Sequence, residues 1–385
     1  VPGSMKGSKQ EETSENEEQG QTEQSRQTVA EENDAEQAKT AGNLEVHFID
    51  VGQGDATLIK CDGHSMLIDA GNNDKGTLVQ NYLQHQGVET LDYVIGTHPD
   101  ADHIGGMDVV LYKFDCKTII MPDVANNTRT YDDVVQTMKN KGYKTTYPVV
   151  GETYTIGGAA FTIIAPNKEY GNDMNSWSVG VLLQNGNHRF LFTGDAEEGA
   201  EQDILQNGID ISADVYKVAH HGSNTATSQA FLDAVHPTYA VISAGEGNSY
   251  GHPHAEVLNR LRAAGVSVFR TDEQGTIVAS SDGTTLTWNM SPSESWQAGE
   301  AKKSQNTEKS EKAADSQNNA ETDAAISNPT DQTDGNSDVI VHITKTGEKY
   351  HSAGCQYLRK SDIEVTLSEA KARGLTPCSK CNPPQ

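Results

Sequence analysis

No apolar run in this 385-residue chain approaches the roughly eighteen residues of a membrane-spanning helix, so nothing in it reads as a transmembrane span. Hydrophobic residues are few, at 35%, and mean hydropathy is -0.63. That points to segments lying outside any core rather than to a poor core. Bases are outnumbered 29 to 55, a net charge of -26, which favours solubility and argues against a general polyanion-binding surface. Only residues 338–385 reverse the balance, with 7 bases against 5 acids. Cysteine is sparse as well. Cys61 and Cys116 stand alone, which excludes a disulfide-stapled framework for the larger part of the chain. Cys355, Cys378 and Cys381 crowd near the end.

What is present divides into four segments. Residues 1–43 are Glu, Gln, Ser, Thr and Asn with almost nothing to bury, and are expected to be a disordered tail. Val1-Pro2-Gly3-Ser4 reads as a cloning remnant. A polar, acidic tether of this kind is what exported bacterial proteins keep once a signal or lipid anchor is removed, so a secreted or cell-surface-anchored protein is expected. Residues 44–290 hold the pattern of a large domain. Leu44–Val51 alternates as a strand does, and Gly52-Gln53-Gly54-Asp55 is a turn. Strand-like runs then alternate with amphipathic stretches near 76–87, 131–141, 198–206, 227–235 and 254–264. Many strands with interspersed helices imply two sheets covered by helices, a layered α/β sandwich. Residues 291–337 return to linker composition, and 338–385 form a compact module with a helix expected near 367–373.

The chemistry concentrates at strand ends. Thr97-His98-Pro99-Asp100-Ala101-Asp102-His103 follows the apolar run Leu91–Gly96. Imidazoles and carboxylates are ligands of zinc, manganese and iron. In an extended loop, alternate residues point to opposite sides. His98 and Asp100 are then expected to face one ion while Asp102 and His103 reach a second. Asp195 stands after the strand Phe190-Leu191-Phe192, lifted out by Gly194, where a carboxylate is placed to bridge two cations. His220 and His221 leave the strand Val215–Ala219, and His252 follows in Gly251-His252-Pro253.

This ordered set resembles the metallo-β-lactamase superfamily. With Ile49–Asp55, Leu67–Gly71 and Asn248 followed by Gly251-His252-Pro253, it looks like the β-lactamase-like domain of ComEC-type DNA-uptake proteins. The resemblance covers about 44–290 and implies a four-layer αββα sandwich with two divalent metals, manganese or zinc, at one edge. It makes Asp69 a structural aspartate that either holds a loop or touches a metal. The superfamily's second histidine is Asp100 here, a harder ligand that tilts the site toward manganese. Its third histidine, expected just before Val179, is missing from Asn175-Ser176-Trp177-Ser178. The first metal is left with His98, Asp100, Asp195 and water. For the second, Asp102, His103 and His220 are expected, with His220 preferred because it comes first off the strand. Asp102, His221 and His252 are the expected catalytic groups: Asp102 orients the nucleophile, and His220, His221 or His252 completes the metal shell or protonates the leaving oxygen. The resemblance implies a metal-dependent phosphodiesterase or DNase using hydroxide generated by two metals. Hydrolysis of a smaller phosphodiester or ester, such as cell-wall phosphocholine or a cyclic nucleotide, is the alternative. Another is a non-catalytic DNA-capture protein.

At the C-terminus, His351-x3-Cys355 and Cys378-x2-Cys381 make a Cys3His set, the ligand complement of a closed structural zinc site. Zinc would also supply the folding energy that so small a core lacks. The module is similar to the zinc-binding module of Ada-type DNA-repair proteins. Lys349, Arg359, Lys360, Lys371, Arg373 and Lys380 are its candidate phosphate contacts.

Overall fold

In a computed structural model the described residues are Gly3, 41–299 and, in the C-terminal unit, 340–344, 349–352, 358, 363–372, 375–378, 380 and 381. The expected disorder of 1–43 and 291–337 falls largely outside them. The exceptions are informative. Gly42 N–H donates to Asn185 Oδ1 at 2.8 Å, and Asn43 N–H to Asp62 Oδ1 at 3.0 Å. Ser293 N–H donates to Val268 O at 2.7 Å, and Trp296 packs against the core. Residues 291–299, which have linker composition, therefore lie along the large unit as an irregular strap.

Two sheets form the large unit. The first contains β1 (Leu44–Phe48), β2 (Thr57–Cys61), β3 (His64–Ile68), β4 (Thr90–Ile95), β5 (Asp115–Ile120) and β6 (Thr145–Thr146). The second contains β7 (Thr153–Ile156), β8 (Ala159–Ala165), β9 (Gly180–Asn185), β10 (His188–Phe192), β11 (Val215–Lys217), β12 (Tyr239–Ile242) and β13 (Ser267–Arg270). β14 (Ile277–Ser281) and β15 (Leu286–Trp288) return to the first sheet, whose order is β15-β14-β1-β2-β3-β4-β5-β6. The second runs β13-β12-β11-β10-β9-β8-β7. In each sheet one half is antiparallel and the other, β3 to β6 or β10 to β13, is parallel.

Alternation along the strands divides their side chains between two layers, because successive residues point to opposite faces. Val46, Phe48, Ile59, Met66, Phe161, Val181, Phe190 and Phe192 meet between the sheets. Leu58, Leu67 and Val94 face outward beneath α1 (Gly76–His85), α3 (Met107–Lys113) and α4 (Arg129–Lys141). Leu191, Tyr216 and Ala240 face the other way, beneath α5 (Glu198–Gln206), α6 (Gln229–Val235) and α7 (Ala255–Ala263). The architecture is the four-layer αββα sandwich. Short helices α2 (Ala101–Ile104) and α8 (Thr271–Gln274) sit at strand exits. The helix starts carry local signals: Thr128 and Ser228 accept hydrogen bonds from the N–H groups of Tyr131 and Phe231, both at 3.3 Å, as N-caps do.

The smaller unit has β16 (Ile340–Ile343), β17 (Lys349–His351), β18 (Ile363–Thr366), α9 (Leu367–Ala372) and β19 (Thr376–Pro377), with sheet order β18-β16-β17-β19. Val341, Ile343, Tyr350, Val365, Leu367 and Ala370 form its core. Among the described residues this core is small, as expected of a unit needing further support.

Candidate metal centre

Parallel strands deliver their C-terminal ends to one edge, and both sheets contribute. β3 leads to Asp69, β4 to His98, β10 to Asp195, β11 to His221 and β12 to Ser243. The stretch 97–103 differs from the extended loop expected of it. Asp100 is extended, but Ala101–Ile104 turns into α2, so Asp102 and His103 reach the centre from a helical turn. Gly54 closes the wall. Its φ is 136°, and a Cβ there would lie 2.4 Å from the Asp102 carbonyl oxygen, so only glycine lets the Gly-Gln-Gly-Asp turn pack against α2.

The ring nitrogens sort into outer and inner ones. His103 Nδ1 lies 2.8 Å from Asp69 Oδ2, and His221 Nδ1 lies 3.0 Å from the Ser243 carbonyl. Both outer nitrogens are placed to donate, which turns each Nε2 lone pair inward. Asp69 also accepts from Thr97 N–H at 2.8 Å and Thr97 Oγ1 at 2.7 Å. Its two oxygens are therefore engaged in holding the loop and orienting His103.

The inner atoms converge. His103 Nε2 is 3.3 Å from His221 Nε2 and 3.2 Å from Asp195 Oδ1. His221 Nε2 is 3.2 Å from Asp102 Oδ2 and 3.4 Å from Asp195 Oδ2. Donor atoms about 2.0–2.1 Å from a tetrahedral ion are spaced roughly 3.3 Å apart, and this cluster has that spacing. Beside it, His98 Nε2 lies 3.7 Å from Asp100 Oδ2. His98 Nε2 is buried without a hydrogen-bond partner among the described residues, a costly arrangement unless a cation takes it. The donor set fits divalent metals.

His220 and His221 are placed differently from the order of the chain. Both adopt left-handed backbone angles, φ 49° and 54°. That turn sends His221, 1% exposed at its side chain, into the cluster, and leaves His220 at the rim with 20% exposure. His220 Nδ1 lies 3.3 Å from Glu197 Oε1 and 3.2 Å from Thr225 Oγ1, and Nε2 lies 3.6 Å from Asp195 Oδ2. His221, rather than the His220 preferred as ligand from the order of the chain, stands among the inner ring nitrogens. His252 stands behind both rings, at centroid distances of 5.6 Å from His220 and 6.1 Å from His221.

Several residues that matter here lie outside the ligand set expected from the sequence, and one of them, Asp55, has a carboxylate oxygen within 4.8 Å of ligand atoms of His103, Asp195 and His221. Asp55 approaches from the outer side, 3.5 Å from His221 Nδ1, and binds Lys217 Nζ at 2.7 Å. Lys217 is nearly fully buried, and its ammonium also donates to Val218 O at 3.0 Å. A lysine inside the apolar strand Val-Tyr-Lys was the available signal, because buried lysines are almost always paired. Ser178 Oγ accepts from Asp195 N–H at 3.0 Å and lies 3.4 Å from His98 Nδ1.

Electrostatics follow from this crowding. Burial pushes the His98 imidazole down to about 3, with the neighbouring charge of His103 adding to it. His98 is therefore neutral, as a metal ligand must be. Burial lowers His103 and His221 too, but Asp195 and the other carboxylates outweigh it and hold both well above the usual range. Asp102 is raised by burial, yet the charges of His103 and His221 bring it down to about 2. In the metal-free protein, protons on the imidazoles balance the carboxylates. Cations would displace them.

In the small unit, one ligand atom each from His351, Cys378 and Cys381 lie within 4.8 Å of one another. Ser352 N–H donates to Cys381 Sγ at 3.4 Å, which suits a thiolate. Cys355, Arg359, Lys360 and Arg373 lie outside the described residues. Lys349, Lys371 and Lys380 are exposed.

Comparison with known proteins gives the following. The family model described as Metallo-beta-lactamase superfamily matches residues 49–246, just over half of the chain. "ComE operon protein 3" of Bacillus subtilis is 31% identical over 255 residues, covering 60% of this chain and 32% of that protein. "Recombination protein 2" of Haemophilus influenzae is 33% identical over 238 residues, covering 60% and 28%. The chain thus spans about a third of the length of these relatives. Among solved structures, the metallo-beta-lactamase fold protein YhfI of Bacillus subtilis aligns with a TM-score of 0.43 at 13% identity, over 62% of this chain and 100% of that one.

Proposed function

The chain belongs to the metallo-β-lactamase superfamily, and from that premise we propose that it is an exported metal-dependent phosphodiesterase whose substrate is DNA. The observation that carries this reading is the convergence of buried ligand atoms from both sheets at one edge, with His98 Nε2 unsatisfied. DNA is supported by resemblance to DNA-uptake proteins and by relatives named for recombination and the ComE operon. A net charge of -26 repels a polyanion, so binding must rely on local cations.

His98, Asp100 and Asp195 would hold one cation, and Asp102, His103, His221 and Asp195 a second. Two divalent cations so held supply an acidified water and a counter-charge for the attacked phosphate. The residues do the rest. Asp69 and the Ser243 carbonyl fix the imidazole rings, so little reorganises during reaction. Asp102, 29% exposed at its side chain, faces the cleft and orients the attacking water. His220, held through Nδ1 by Glu197 and Thr225, presents Nε2 at the rim, where it can pass a proton to the leaving oxygen. His252 backs these rings.

Hydrolysis of plasmid DNA, single-stranded oligonucleotide and bis(p-nitrophenyl) phosphate with Mn2+, Zn2+ or chelator tests this reading. Metal-dependent cleavage of DNA is expected, faster with Mn2+ than with Zn2+, and lost in Asp102→Ala with folding retained. Cleavage of the small ester alone would shift the substrate to a small phosphodiester. Wild-type turnover by Asp102→Ala would overturn the site.

A further inference from the structure

Resting on the reading of DNA as substrate, we propose that Tyr250 is a stacking platform for an unpaired base next to the scissile phosphate. Tyr250 is 63% exposed, yet it continues a series of rings that begins in the metal centre. His221 and His252 lie 6.1 Å apart at 27°, and His252 and Tyr250 5.5 Å apart at 18°. One face of the phenol ring is covered by His252, and the other is open. Two ring steps from His221 are a distance that a neighbouring nucleotide spans.

The platform is built rather than incidental. Asn248 Oδ1 accepts from the N–H groups of Tyr250 and His252, at 3.1 and 3.0 Å. Its Nδ2 donates to Gly245 O and His252 O, at 2.9 and 2.7 Å. His254 Nε2 lies 3.2 Å from Tyr250 O, and Gly299 N–H on the strap donates to Pro253 O at 2.9 Å. A large aromatic surface on a pinned loop costs little entropy to use. Every base presents a π-face, so such a contact tolerates any sequence, whereas duplex DNA keeps its bases stacked inside. A phenol also suits an acidic protein, since stacking needs no basic surface. The platform therefore selects single strands, frayed ends or gaps.

The experiment compares wild type, Tyr250→Ala and Tyr250→Phe on a single-stranded oligonucleotide and on one carrying abasic spacers. Losing one base–aromatic contact lowers affinity by roughly tenfold to a hundredfold. Tyr250→Ala is expected to raise KM by that factor with little change in kcat, and Tyr250→Phe to restore it. On the abasic strand wild type and Tyr250→Ala should converge. A parallel titration with uncleaved oligonucleotide follows indole fluorescence in Tyr250→Trp, with wild type as background, and quenching above that background is expected. If wild type cuts DNA but Tyr250→Ala has an unchanged KM, the platform is refuted while the nuclease reading stands. If quenching occurs without cleavage of any nucleic acid, Tyr250 stacks on bases, but the nuclease reading falls and with it the place beside a scissile phosphate. With neither quenching nor cleavage, both fall.

Discussion

Lys217→Met probes an ammonium that the structure places behind the metal centre. Lys217 and Asp55 are 3% and 7% exposed at their side chains and lie 2.7 Å apart. They join β11 in the second sheet to the turn after β1 in the first. Removing one partner of a buried pair costs about 3–5 kcal/mol, because the other charge is left uncompensated. His221, 3.5 Å from Asp55, offsets part of that in the metal-free protein, so the low end applies. A loss of about 3 kcal/mol lowers Tm by roughly 6–12 °C for a domain of this size. Burial raises the Asp55 carboxyl, but Lys217 and then the imidazoles outweigh it and hold it below its usual range. The pair's contribution is therefore present above the unfolded Asp value of about 3.9 and is lost as pH falls below it. In Lys217→Met the burial effect is no longer opposed by the ammonium, so the deficit should be largest at neutral pH and shrink toward pH 4. The assay is thermal and urea unfolding of the chelated protein at pH 7 and pH 4.5, with the double variant Asp55→Asn plus Lys217→Met. The double variant should recover at least half the loss, since no buried charge is stranded. A single-variant loss below about 1 kcal/mol, or a double variant no better than the single, would refute the reasoning.

Other outcomes follow from the same geometry. His103 and His221 have folded values raised above the unfolded 6.5 by Asp195 and its neighbours against the pull of burial. Their stabilisation is full below pH 6.5 and fades as pH rises through the raised values, so metal-free protein should lose stability as pH rises above 6.5 in a thermal-shift series. Added Mn2+ should stabilise most at the alkaline end, because metal and protons compete for the same nitrogens. Ser178→Ala removes the hydroxyl shared by Asp195 N–H and His98 and should weaken metal affinity about tenfold to a hundredfold in competitive chelator titration. Deleting 338–385 should weaken DNA binding at low salt and leave bis(p-nitrophenyl) phosphate hydrolysis unchanged, with the difference shrinking as salt rises. Equal binding at low salt would remove the module from DNA holding.

Local sequence located most of the long elements and the residue types that the structure gathers at one edge. Alternation predicted the strands, and the stretch 198–206 became α5 with those bounds. His98, Asp100, Asp102, His103 and Asp195 all stand at strand exits, where short-range patterning carries the signal. The fold class was legible for the same reason, since strand and helix periods depend on neighbouring residues alone. α3 went unpredicted because Met107–Lys113 is short and follows two glycines that read as a loop. The choice between His220 and His221 belonged to the tertiary structure. The two are chemically identical neighbours, and what separates them is a left-handed turn of the backbone and the Ser243 carbonyl just past β12, 22 residues away. The same holds for Asp55 with Lys217, 162 residues apart, and for Ser178 with His98, 80 apart. Residue type and local period are written in the chain, but the partner that orients a ring or neutralises a buried charge comes from whichever strand the packing of the two sheets brings alongside.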